Sequence, residues 1–341
     1  MQLLEDLLSV CISSAKAEKL ELVENNKSFY TRSQIHVLLL KPFGTGKTTT
    51  LVKIPDSEDL ISTTAPGVVG SINERGEYIE GSAVQAAGRV LVIDEFQNLS
   101  REARNAMLNL LDHQFYNKSL GYKFTEKNKI VSRRKFSRVW VKGNKIHIES
   151  RFSCVCGGTY VRRERMNDKA WLSRFVPVSV KFTLDDIYKL LKGELEIKLK
   201  MEDYTEPPVF EDYLKFVDEH KNICTSLPFV KSISRSDDFG YISRNAIDMA
   251  RVAAFYSRNR GSVDDWEKIL RFVPITLYNY MTSTLTLDEY NILGIVHDDP
   301  KTTNRDIAKN LGLSEQFVST AIKVLRSKGL IWAGDVIELG L

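Results

Sequence analysis

Apolar residues along this chain change their spacing several times, and each change marks a different element. Leu3, Leu4, Leu7, Leu8 and Cys11 recur at helical spacing, which predicts helix over about residues 1 to 30. The pattern then tightens into the run Ile35, Val37, Leu38, Leu39 and Leu40, a short buried strand that ends at Pro42 and Gly44. Val90 to Ile93 reads as a second buried strand, ending in Asp94 and Glu95, and Phe152 to Cys156 as a third. Ala103, Met107, Leu110 and Leu111 predict a helix from Ser100 to about Asn117. Strand, glycine-bearing loop, helix and an acid-tipped strand together predict an α/β fold.

Between Lys127 and Lys145 stand eight basic residues and no acidic one. The second half of this stretch, RVWVKGNKIHIE, alternates apolar and polar positions around Gly143-Asn144, predicting a hairpin with Lys142 and Lys145 beside its turn. Phe136 and Trp140 are interleaved with the basic residues, which slightly favours a binding surface, although an alternating Trp is more often core. Pro207-Pro208 marks a linker before a helical region from about Glu211 to Thr282.

The C-terminal segment is a self-contained pattern. Thr286 opens a helix through a capping box with Glu289, and Tyr290, Leu293, Ile295 and Val296 form its apolar side. Thr303, with Asp306 three residues on, caps a second helix that ends at Leu311-Gly312-Leu313. Ser314 starts a third, with Phe317, Val318, Ile322 and Leu325 inward. GLIWAGDVIEL then predicts a hairpin turning at Gly334-Asp335. Helix, turn, helix and wing make a winged helix-turn-helix. Its outward Gln316, Ser319, Thr320, Lys323 and Arg326 are suited to bases and phosphates of duplex DNA, although such modules also serve protein contacts.

Composition adds limits. A chain of 341 residues, 43% hydrophobic and 27% charged, predicts two or three folded domains. A formal net charge of +4 says little about partners, because the basic stretch is averaged away. Glu5 and Asp6 stand where a secretory signal would carry Lys or Arg, and no apolar run is long enough to span a bilayer. A soluble cytoplasmic protein with no membrane partner is expected. Cys11, Cys154, Cys156 and Cys224 lack the spacing of a zinc site and read as reduced core residues.

The sharpest chemistry is KPFGTGKT at residues 41–48, between a strand and a helix. Gly44, Thr45 and Gly46 would let backbone N–H groups curl around phosphates. Lys47 would reach the β- and γ-phosphates of ATP, and Thr48 would place its hydroxyl on Mg2+. The first glycine of the usual loop is replaced by Lys41. Asp94 would hold Mg2+ through its water shell, and Glu95 would activate the attacking water. Paired acids at a strand end could instead cap a helix, but the phosphate loop about 47 residues upstream favours hydrolysis.

These motifs resemble, over about residues 30 to 280, the AAA+ module of the minichromosome maintenance (MCM) replicative helicases. TTAPGVVGSINERGEYIEGSAVQAAGRVLVIDEF, residues 63–96, is similar to that family's helix-2 insertion leading into Walker B. The basic hairpin occupies the place of the pre-sensor-1 hairpin. AWLSRF at 170–175 resembles the arginine-finger motif, and ISRNAIDMARVAAF at 242–255 the sensor-2 helix. The resemblance implies that Arg174 reaches the γ-phosphate of a neighbouring subunit, that Arg244 is sensor 2, and that Thr159 stands at sensor 1, where the family has Asn.

Further implications are a homo-oligomeric ring of six, single-stranded DNA in its channel on Lys142 and Lys145, and hydrolysis that moves the hairpins. The expected architecture is an AAA+ P-loop core with a parallel sheet flanked by helices (1–185), a helical lid (186–283) and the winged helix (284–341). Only about 34 residues precede the first strand, too few for the family's N-terminal zinc and oligonucleotide-binding domains. An MCM-like helicase or replication ATPase is therefore expected, in reduced form. Two alternatives are a replication initiator acting on duplex DNA and a MoxR-type protein remodeller.

Overall fold

The computed structural model describes residues 2–40, 47–60, 62–119, 129–158, 171, 174–179, 188–189, 192, 198–199, 209–210, 247–255, 285–299, 301–327, 331–332 and 335–336. Helix α1 (Gln2–Ser14) buries Leu4, Leu7, Leu8 and Cys11, as the spacing predicts. It stops at Ser14, well short of residue 30. Strands β1 (Lys19–Glu24) and β2 (Lys27–Arg32) take the rest, in register from Lys19↔Arg32 to Glu24↔Lys27. Between them Asn25 and Asn26 both hold positive φ, 48° and 60°, the hand of turn that matches strand twist.

The chain continues through β3 (His36–Leu40), α2 (Lys47–Val52), β4 (Ser57–Asp59), α3 (Ala65–Val69), β5 (Ser71–Ile72), β6 (Tyr78–Ile79), α4 (Ser82–Gln85) and β7 (Val90–Ile93). There follow α5 (Arg101–His113), β8 (Phe115–Ser119), β9 (Lys129–Arg134), β10 (Ser137–Lys142), β11 (Lys145–Ser150), β12 (Ser153–Gly158), β13 (Val176–Ser179), β14 (Val209–Phe210) and α6 (247–255).

Five strands form a parallel sheet in the order β13-β3-β12-β7-β4. Each apolar run is continuous because both faces of the sheet are covered. Val37, Leu39, Val90, Val92 and Val155 face one core, shared with α1 and with Met249, Val252 and Phe255 of α6. Leu38, Leu91, Ile93, Cys154 and Cys156 face the other, shared with α3, α4 and α5. The alternation follows directly from the two-residue period of a strand. The third strand runs from Ser153 to Gly158, slightly later than its apolar pattern suggests.

Helix α5 ends at His113, not Asn117. Gln114 takes the left-handed conformation (φ 55°, ψ 21°) and its N–H returns to Leu110 O, which ends the helix. Phe115–Ser119 then pairs with β11. The result is a four-stranded antiparallel sheet, β8-β11-β10-β9, of which the expected hairpin β10–β11 is the centre. Of the expected lid, β14 pairs with β1, α6 and Leu199 join the first core, and Lys192 stands over the Tyr188 ring; most of the remainder lies outside the described residues.

The C-terminal unit comprises α7 (Leu287–Asp298), α8 (Asn304–Leu311), α9 (Glu315–Ser327), β15 (Ile331–Trp332) and β16 (Asp335–Val336). Thr286 and Glu289 form the reciprocal capping box, Thr303 caps α8, and the Ser314 hydroxyl accepts from Phe317 N at 3.2 Å. Asp335 pairs with Trp332 and so belongs to the strand, not to the turn. Phe317 is 42% exposed, against expectation. The inward stripe of α9 is Val318, Ala321, Ile322 and Leu325, which leaves Phe317 about 100° to its side. Among the described residues no helix is long and apolar enough to cross a membrane.

Candidate functional site

β3 ends at Leu40 and α2 begins at Lys47, so the N-terminus of α2 and the end of β7 share the carboxyl edge of the sheet. Ligands of open α/β sheets bind at this edge. Thr48 Oγ1 donates to Asp94 Oδ2 at 2.8 Å, closing the space between the two motifs. Lys47 is buried, and desolvation lowers its pKa while Asp94 and Glu95 oppose that shift. Gly157, at the end of the intervening β12, keeps room for this group: a Cβ there would stand 3.0 Å from Asp94 Oδ1.

Glu95 adopts a left-handed backbone (φ 57°, ψ 59°), a conformation rare for a residue with a Cβ, and Asn98 Nδ2 donates to its Oε2 at 2.8 Å. Neither acid caps α5; Ser100 does, accepting from Ala103 N at 3.1 Å. The helix-cap alternative for the acid pair is thereby removed for α5. Gly44, Thr45 and Gly46 lie outside the described residues, as do Thr159 and Arg244.

Arg174 occupies the opposite edge. It precedes β13, whose Val176 lies beside Val37 near the start of β3. One five-residue strand, roughly 16 Å, separates it from the phosphate-loop edge, beyond the reach of its own side chain. There it pairs with Asp112. Sequence reasoning missed the company it keeps. Arg32 Nη2 lies 4.0 Å from Asp112 and 3.9 Å from Asp248, Arg251 pairs with Asp248, and Arg251 Nη2 donates to Thr31 Oγ1 at 2.6 Å.

Arg32, Arg174 and Arg251 thus share two carboxylates, and Arg32, Arg251, Asp112 and Asp248 also line, with Thr31, a pocket of about 240 Å3 that Arg174 does not reach. Burial pushes Arg32 down to about 10, and Arg251 adds to the shift. Burial also raises the Asp248 carboxyl, against the pull of Arg251 and Arg32. His36, wholly enclosed beside Arg32, is held well below its ordinary pKa by desolvation and then by that charge. Only the pair Asp248 and Arg251, at helical i, i+3 spacing, carried a local sequence signal.

The antiparallel sheet carries the basic stretch. Along β10 and β11 Val139, Val141, Ile146 and Ile148 turn inward, while Arg138, Trp140, Lys142, Lys145, His147 and Glu149 turn outward. Trp140 is therefore a half-buried surface residue, not core. It stacks on His147 at 5.1 Å between centroids, Phe115 lies 5.9 Å from it, and the Arg138 guanidinium sits 5.3 Å over its ring. Desolvation and then Lys142 and Lys145 lower the His147 pKa. Lys142 and Lys145 face each other across the turn, where Gly143 supplies a φ of 61°.

Where helix-2 insertion was expected, α3 and α4 bracket the small hairpin β5–β6. Glu80, after that hairpin, pairs with Arg134 and accepts from Ser132 Oγ at 2.6 Å, tying the insertion to the basic sheet. In the C-terminal unit Gln316, Thr320, Lys323 and Arg326 are exposed on α9, as required of a face that contacts DNA.

Residues 289–331 match the winged helix-turn-helix DNA-binding family. This chain carries a winged-helix DNA-binding domain. Comparison with characterised proteins finds no match to the chain.

Proposed function

We propose that the chain is an ATP-hydrolysing AAA+ motor that works on DNA as a ring, an MCM-like helicase or replication ATPase. The observation that carries this reading is the placement of Thr48 against Asp94 at one edge of the sheet, with Arg174 at the other. A nucleotide at the first edge would meet its own Lys47 and a neighbour's Arg174, so each site is complete only between two subunits. A closed ring, of six by resemblance, satisfies every site at once.

Within one site the roles follow from chemistry. Backbone N–H groups at the start of α2 and the Lys47 ammonium would neutralise the phosphates. The Thr48 hydroxyl and the Asp94 carboxylate are hard oxygens that already converge, which fits Mg2+, an ion that takes one or two carboxylates and phosphate oxygens. Mg2+ would supply charge neutralisation at the β- and γ-phosphates. Glu95, one residue beyond, would accept the proton of the attacking water, and the hydrogen bond from Asn98 Nδ2 orients its carboxylate. Arg174, with Arg32 and Arg251 beside it, would meet the charge that develops on the transferred phosphoryl group. Lys142 and Lys145 would carry single-stranded DNA, and the winged helix would hold duplex.

A replication initiator is the second reading, favoured by the winged helix, which accounts for DNA contact without a motor. The deciding experiment measures ATP hydrolysis alone, with single strands and with duplex, for the wild type and Lys47→Ala. A motor gives hydrolysis stimulated by DNA and abolished by Lys47→Ala. An initiator gives a sequence-specific footprint with little strand displacement. Absence of ATP hydrolysis under all conditions removes the motor.

A further inference from the structure

The basic stretch serves more than the hairpin tip. Its residues divide between two ends of the antiparallel sheet: Lys142 and Lys145 at the tip, and Arg133, Arg134, Lys135 and Arg138 at the base. The base forms an open cleft of about 430 Å3 between the β9–β10 turn and the α5–β8 joint. Five permanent cations line it, the four just named and Arg151, against one carboxylate, Glu149. Arg133, Lys135 and Arg138 are exposed.

One observation separates this cleft from an ordinary charged surface: the turn is fixed in place. Phe136 packs onto Gly88, where an added Cβ would lie 2.2 Å from its ring, and Arg151 N donates to Phe136 O at 3.0 Å. The cations are thus held on a rigid support before any ligand arrives.

Between the base and the tip lies the aromatic patch. Trp140 and His147 are stacked with an interplanar angle of 9°, and Phe115 closes the patch on the cleft side. From Arg138 to Lys142 the outer face runs roughly 13 Å. A surface with cations at both ends and flat rings between them matches a single-stranded polynucleotide, whose phosphates need charge and whose unpaired bases need a π-face. Duplex DNA hides its base faces and would leave the rings unused.

We infer that the outer face of this sheet is a single-strand binding platform, with a base stacked on Trp140 and phosphates on Arg133 and Arg138 at one end and Lys142 and Lys145 at the other. The inference rests on the reading of Lys142 and Lys145 as DNA contacts and extends it to a stacking site and a basal phosphate site.

Fluorescence anisotropy tests it on the full chain carrying Lys323→Ala and Arg326→Ala, so that the winged helix contributes little. The probes are labelled oligothymidylate, oligouridylate and a duplex. Trp140→Ala should weaken single-strand binding at least about five-fold, the lower end for one stacked base, without changing the salt slope, and Trp140→Tyr should restore it. Arg133→Ala with Arg138→Ala should lower the salt slope by about 1 to 1.5. The two single-stranded probes identify whether DNA or RNA is the ligand. If only Lys142→Ala with Lys145→Ala weakens binding, the platform is wrong and the tip survives. If none of these variants changes affinity, both are wrong. Equal losses on duplex and single strand also overturn the platform, because stacking requires an unpaired base.

Discussion

Thr48 and Asp94, separated by 46 positions, meet through a 2.8 Å hydrogen bond at the carboxyl edge of the parallel sheet. The hydroxyl and carboxylate are both small, so either can be changed with little loss of packing. Thr48→Val and Asp94→Asn should each keep the far-ultraviolet circular dichroism of the wild type. On the proposed chemistry each should lower ATP turnover by about 100-fold or more, measured as phosphate release. Turnover within a few-fold of wild type in both variants would remove the metal-binding role of this pair.

Arg174 lies one strand length from the site formed by Lys47, Thr48 and Asp94. The cis and trans readings of this arginine therefore differ in a mixing experiment. Lys47→Ala subunits retain Arg174, and Arg174→Ala subunits retain the phosphate loop. Neither should hydrolyse ATP alone, while an equimolar mixture should recover a fraction of wild-type activity. No recovery in a mixture shown to co-assemble would overturn action in trans. Asp112→Ala should act differently, because it leaves Arg174 and Arg32 without a shared counter-charge. A cost of about 3 kcal/mol is expected, read as a lower denaturation midpoint.

Those residues also show how far the sequence could be read. Strands β3, β7 and β12 were legible because burial on both faces makes each an unbroken apolar run. β1 and β2 were hidden, since Ala15, Ala17 and Leu20 continue the helical rhythm of α1 and the turn depends on two asparagines. β8 has no strongly buried face, so Phe115–Ser119 carried no alternation to find. The phosphate loop and the acids were legible as contiguous motifs. The arginine cluster was not, because Arg32, Asp112, Arg174 and Asp248 come from four separate segments that only the fold joins. Phe317 was misplaced by one position, which on a helix is enough to turn an inward residue outward.

His36 gives the arginine pocket a pH signature. Its folded pKa is depressed by burial and by Arg32, with Arg251 and Arg174 adding to the shift; Asp112 and Asp248 are the nearby carboxylates. The unfolded chain takes up this proton near pH 6.5, and the folded chain resists it until lower pH. Stability from His36 is therefore complete above about 6.5 and is lost as pH falls toward the folded value. Asp248 has the opposite sign: its raised pKa adds stability only at low pH, lost as pH rises through the folded value. Thermal melts between about pH 7.5 and pH 5.5 should show a falling midpoint. His36→Gln should flatten that fall, and an unchanged slope in the variant would show that other groups cause it.

The winged helix yields a prediction independent of ATP. Gln316, Thr320 and Lys323 recur at i, i+4 and i+7 on the exposed side of α9, and Arg326 follows one turn after Lys323. Opposite them Val318, Ala321, Ile322 and Leu325 bury the helix against α7 and α8, so the exposed side is free of any packing duty. Substituting it should leave the melting midpoint within about 1 °C of wild type, because surface changes away from caps and cores cost little. Lys323→Ala and Arg326→Ala should each reduce the salt slope of duplex binding by about 1 and weaken all sequences alike, as phosphate contacts do. Gln316→Ala should weaken a preferred site more than random duplex and leave the salt slope unchanged, if its amide reads a base edge as proposed. If the three variants bind duplex as wild type does, α9 is not the element that enters the groove, and the face of this module that meets DNA lies elsewhere.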